Sequence, residues 1–145
     1  MSCITHCRKV VRSFWFKARI RDKDQQIDYE LSYRDLESTV TQAHIHLGLP
    51  AISGGIVVFL CTNLAPPAGV PLPQACPAAP ATITGTLVPA DVGATANSIA
   101  QGINLGEFEE LVRAIRAGAT YVNVHTTGFP GGEIRGQLDR RHHDD

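Results

Sequence analysis

Tyr121-Val122-Asn123-Val124-His125-Thr126, a break at Gly128-Phe129-Pro130-Gly131-Gly132, then Glu133-Ile134-Arg135-Gly136-Gln137-Leu138: this stretch decides the fold class. In its first half Val122 and Val124 fall on one side of an extended chain, and Tyr121, Asn123 and His125 on the other. In its second half Glu133, Arg135 and Gln137 share a face. A period of two marks half-buried strands, and Pro-Gly suits a tight turn, so residues 119–126 and 133–138 read as an antiparallel pair.

The same alternation recurs upstream. Residues 14–20 set Phe14, Phe16, Ala18 and Ile20 against Trp15, Lys17, Arg19 and Arg21. Residues 27–33 set Ile27, Tyr29, Leu31 and Tyr33 against Asp28, Glu30 and Ser32. With the polar 22–25 between them, these form a hairpin. A third strand spans 39–47. The wholly apolar, β-branched 56–61 reads as a central strand, reached through a turn holding Pro50 and two glycines. The Pro/Ala-rich 64–80 is a loop, because Pro66, Pro67, Pro71 and Pro73 are unsuited to a sheet interior. Residues 82–88 alternate Ile83, Gly85 and Leu87 with threonines.

One segment has helical spacing. Leu105, Phe108, Leu111, Val112 and Ile115 form a stripe behind an Asn104 cap, with Gly118 as the stop. Glu107, Glu109 and Glu110 lie early and Arg113 and Arg116 late, as the helix dipole favours, and Glu109–Arg113 is an i,i+4 pair. The reading is all-β: an antiparallel Greek-key sandwich or barrel with one short crossover helix at about 105–117. It occupies 14–138, between a basic lead-in at 1–13 and a charged tail at 139–145 expected to be disordered.

A length of 145 residues fits one domain, and a net charge of −1 gives no basic field for nucleic acid or anionic lipid. No apolar run approaches the roughly 20 residues of a membrane span. Arg8, Lys9 and Arg12 are followed by Phe14 to Phe16 and then Lys17, without the apolar core of a signal peptide. Read literally, the product stays in the cytoplasm; a misplaced start codon gives the same appearance. Cys61 and Cys76 flank the proline loop, and a disulfide there closes a loop of about 15 residues, worth roughly 3 kcal/mol. Cys3 and Cys7 beside His6 are half of a zinc pattern without a second pair, and read better as free or terminally paired thiols.

His44 and His46 project to the same face of one strand. If that strand lies near 121–125, His125 joins them, and three neutral imidazoles suit copper or zinc. Ile45 and Val124 then point into the core. The competing reading is hydrogen-bonding histidines at a sheet rim. Asn123, Thr126, Glu133, Arg135 and Gln137 form either a polar site wall or a solvated sheet face. There is no G-x-S-x-G, Walker or Rossmann pattern. His142-His143 in the tail reads as accidental, at most a weak trap for stray metal.

Ala43-His44-Ile45-His46, Gly54-Gly55-Ile56-Val57-Val58-Phe59-Leu60, Gly85-Thr86-Leu87, Ala117-Gly118, Tyr121-Val122-Asn123-Val124-His125-Thr126 and Pro130-Gly131-Gly132-Glu133-Ile134-Arg135-Gly136-Gln137-Leu138 together resemble the CHRD domain family, named for chordin, over about 14–138. The resemblance implies a β-rich, usually exported domain, most members having no assigned activity. Members usually carry an export signal and an additional first strand with a Glu-Val-Pro-Pro-like segment. Residues 1–13 do not match that strand, which leaves an edge open to a partner or a second copy. The histidine arrangement is also similar to the copper strand of Cu/Zn superoxide dismutase, by which analogy Arg135 resembles an anion-guiding residue.

The leading expectation is a non-enzymatic binding module whose His44, His46 and His125 face takes either a partner, an unidentified protein or small ligand, or a metal ion, copper or zinc. One alternative is a copper-dependent, superoxide-dismutase-like oxidoreductase, for which a fourth histidine is wanting. The other is a structural or adhesion β-domain without metal.

Overall fold

The alternating residues at the start form the expected hairpin in the computed structural model, which describes residues 12–65, 68–93 and 95–139. Strands β1 (Ser13–Arg21) and β2 (Gln26–Arg34) pair antiparallel, Phe16 opposite Leu31 and Ile20 opposite Ile27. Strand β3 (Val40–Leu47) crosses to a second sheet, where it pairs with β4 (Ile56–Thr62). Strand β5 (Ala81–Leu87) returns to β2. Two helices follow, α1 (Ala96–Ala100) and α2 (Phe108–Arg116), then β6 (Thr120–Thr126) and β7 (Ile134–Leu138). The sheets are ordered β1-β2-β5 and β4-β3-β6-β7, all neighbours antiparallel. The expected lead-in group Cys3/His6/Cys7 and the tail histidines His142-His143 lie outside the described residues.

The inner faces follow from the alternation. Ile27, Leu31, Ile83 and Leu87 from one sheet and Ala43, Ile45, Val122 and Val124 from the other are buried together. Burying such side chains contributes roughly 1.5–3 kcal/mol each for the larger ones. The chain is thus an all-β sandwich. The expectation for Ala18 fails: it is exposed, and Phe14, Phe16 and Ile20 are only half-buried, because β1 is an edge strand. The Phe14 ring lies against the bare Cα of Gly136 on β7, where a Cβ would come within 2.7 Å of the ring.

Two further expectations are corrected. Strand β4 is an edge strand, not a central one. It is apolar because its edge is covered by other parts of the chain. Thr62 N donates to Gln74 O, Gly93 N to Val57 O, and Thr95 Oγ1 to Ile56 O. The Cys61–Cys76 disulfide fastens that cover. The helix is also shorter than 105–117. Gly106 takes φ +82, which breaks the helical path, so Leu105 is exposed and Asn104 is not the cap. Instead Asn104 N donates to Glu107 Oε2 in a separate turn, and Glu107 is the cap residue. Phe108, Leu111 and Val112 are buried as expected. Arg113 pairs with Glu110 rather than Glu109.

Candidate metal centre

The pairing of β3 with β6 brings the histidines together. Ala43 and Ile45 on β3, and Val122 and Val124 on β6, face the core, so their neighbours face the opposite side of the sheet. The register sets His44 across from Asn123, His46 across from Tyr121, and Gln42 across from His125. His125 is therefore diagonal to His44. The ring centroids are 4.7 Å apart for His44–His125, 5.5 Å for His44–His46 and 5.8 Å for His46–His125.

A face that should be solvated is covered here. His44, His46 and His125 are 1%, 6% and 8% exposed. The Phe59 ring of β4 packs edge-on to His44 at 4.4 Å. Tyr121 stacks on His46 at 4.7 Å. The β3–β4 loop folds over from one side and the β6–β7 turn from the other. Each supplies a backbone carbonyl: Gly54 O lies 2.9 Å from His46 Nδ1, and Pro130 O lies 2.8 Å from His125 Nδ1. A carbonyl only accepts, so both rings carry their proton on Nδ1. Their Nε2 atoms then hold free lone pairs.

Those lone pairs have no protein partner. His46 Nε2, His125 Nε2 and both nitrogens of His44 are buried and unbonded among the described residues. An unsatisfied buried polar group costs about 1–3 kcal/mol. Burial, reinforced by the neighbouring imidazoles, pushes the His44 pKa down to about 2. Burial likewise lowers His46 and His125, against the opposing pull of the Gly54 and Pro130 carbonyls. All three are neutral, the form that ligates metal.

One ligand nitrogen from each histidine lies within 4.8 Å of the others. Metal–nitrogen bonds of about 2.0–2.1 Å in a tetrahedral arrangement separate such nitrogens by roughly 3.3–3.5 Å. The three rings can therefore close on an ion by shifts of about an ångström.

The polar neighbours divide. Glu133 lines the cavity beside His46, but its carboxylate is engaged by other partners. It accepts from Thr126 Oγ1 at 2.6 Å and Glu37 N at 2.5 Å, with Arg12 Nε at 3.5 Å. Gln137 donates to Gly48 O and Gly118 O, tying β7 to the loops. Arg135 lies 3.4 Å over the Tyr121 ring and donates to Ile52 O and Leu49 O, which holds the β3–β4 loop in place. Asn123 donates to Gly131 O. A cavity of about 290 Å³ opens beside His46, its walls including Tyr121, Asn123, Gly132 and Arg135.

The carbonyls of Gly54 and Pro130 and the ring of Phe59 are site features that spacing alone does not reveal. The only sequence signal for the two carbonyls is the glycine and Pro-Gly turns at those positions.

The chain matches the family model described as CHRD domain over residues 13–138. It belongs to the CHRD domain family. The match runs from the first residue of β1 to the last of β7, so the CHRD domain takes in all seven strands of the described residues, with the histidine face inside it. No curated protein matches the chain, and no solved structure does. No helix among the described residues is long and apolar enough to cross a membrane.

Proposed function

We propose that this CHRD domain is a non-enzymatic binding module that holds one copper or zinc ion on His44, His46 and His125. The observation that carries this reading is the set of buried imidazole nitrogens without partners, two of the rings fixed by carbonyls so that Nε2 is the free atom. Second-sphere acceptors on Nδ1 are what ligating histidines commonly have. A purely structural role accounts for the two Nδ1 bonds but leaves the remaining nitrogens buried at a cost. Three imidazoles suit both copper and zinc, and the choice follows from availability.

The disulfide supports an oxidising compartment, in keeping with the export usual in the family. Titration calorimetry of metal-free protein with each ion tests the proposal. It should give one site per chain, lost in His44→Ala with His46→Ala. Absence of binding by the wild type, or unchanged binding by the double variant, overturns it.

A second reading, a copper-dependent superoxide-dismutase-like oxidoreductase, is favoured by the cavity beside His46 with the cationic Arg135 at its wall. Copper would supply the redox chemistry, and the chain would supply the three imidazoles and the access route. Superoxide consumption by the loaded protein no faster than by free copper removes this reading.

A further inference from the structure

Asn123 has an unused acceptor. It is 6% exposed and lines the cavity beside His46. Its Nδ2 donates to Gly131 O at 3.3 Å, which settles which terminal atom is nitrogen, since a carboxamide oxygen has no proton to give. The other atom, Oδ1, is buried with no partner among the described residues. The carboxamide lies flat on Gly132, where a Cβ would come within 2.1 Å of Oδ1.

The neighbouring rings cannot satisfy this oxygen. His46 and His125 spend their only proton on Gly54 and Pro130, and neither nitrogen of His44, the ring opposite Asn123 in the register, lies within hydrogen-bond reach of it. The three histidines are the sole cluster of ligand-type side chains among the described residues, and the nearby carboxylate of Glu133 is already bonded to Thr126 and Glu37. Beside its glycines the cavity wall carries Ser53, Tyr121 and Arg135: Ser53 offers only a neutral hydroxyl, the Tyr121 hydroxyl accepts from Gly54 N, and Arg135 is held by the Ile52 and Leu49 carbonyls.

Resting on the metal reading above, we infer that the fourth coordination position opens into this cavity and takes a small exogenous protic ligand, water in the resting state, whose proton is accepted by Asn123 Oδ1. Asn123 is then a positioning residue for the bound ligand and not a ligand itself.

The test uses copper(II)-loaded full-length protein, with azide as the probe. Pulsed electron-nuclear resonance in H2O and D2O should show exchangeable protons on the copper, lost on azide saturation as a charge-transfer band appears. Asn123→Leu should keep wild-type copper stoichiometry and bind azide about fivefold more tightly, because the displaced water no longer has its neutral hydrogen bond. Asn123→Asp, whose charged acceptor holds water more strongly and repels the anion, should bind azide about tenfold more weakly. Copper uptake without exchangeable protons or an azide band shows a closed position and overturns the inference while leaving the metal reading intact. Equal azide affinity in wild type and either copper-binding variant removes the role of Asn123. Failure of the wild type to take up copper overturns both.

Discussion

Replacing His44 by leucine should make the metal-free protein more stable while removing its metal affinity. The His44 ring is 1% exposed, wedged between Phe59 at 4.4 Å and His125 at 4.7 Å, with neither nitrogen bonded among the described residues. Leucine is close in volume and has no polar atom to strand. Relieving the unsatisfied group is worth about 1–3 kcal/mol. For a chain of this length that raises Tm by roughly 3–10 °C.

The pH dependence supplies a second reading of the same variant. With its folded pKa down at about 2, His44 stays neutral in the native state, whereas in the unfolded chain it protonates below its ordinary value. Between those values the unfolded state binds the extra proton. Stability of the wild type therefore falls as pH drops below about 6.5, by up to 1.4 kcal/mol per unit from this group, and is flat above. His44→Leu should reduce that slope by close to one proton. Urea unfolding of metal-free protein at a series of pH values measures both quantities. A variant destabilised by more than a kilocalorie, with an unchanged acid slope, would refute the view that this imidazole is kept at a cost for ligation.

Metal uptake at pH 6 should release fewer protons than three free histidines would, since burial lowers the pKa of His46 and His125 as well as His44; calorimetry in two buffers of different ionisation enthalpy counts them. Gly132→Ala should cost about 2 kcal/mol or more, because φ is +116 and the new Cβ would strike Asn123 Oδ1; urea midpoints against wild type check it. Replacing both Cys61 and Cys76 by alanine should cost about 3 kcal/mol in the same assay.

Much of this was legible in the residues because strands advertise themselves through period two. The β1–β2 hairpin, the β6–β7 pair and the inward Ile45 and Val124 follow from alternation alone. The meeting of His44, His46 and His125 needed one further fact, the β3–β6 pairing, which links residues about eighty positions apart and leaves no local trace. The edge position of β4 was hidden for a related reason. An apolar strand looks the same whether neighbouring strands or loop segments such as Gln74 and Gly93 cover it. Leu105 misled because its helical spacing continues past Gly106, where the backbone turns left-handed. The division among the polar neighbours was unreadable too. Glu133, Arg135 and Gln137 share a face, yet their partners are Thr126, Ile52 and Gly48, fixed only by loop paths.

The central claim is that three imidazoles on the outer face of the β3–β6 pair hold one ion. X-ray absorption on protein loaded with one equivalent of zinc or copper addresses it most directly. The account predicts about three imidazole nitrogens at about 2.0–2.1 Å, with their ring carbons in the outer shells, and a changed spectrum in His125→Ala. An oxygen-dominated shell without ring scattering, or a spectrum unaltered by loss of His125, would contradict it.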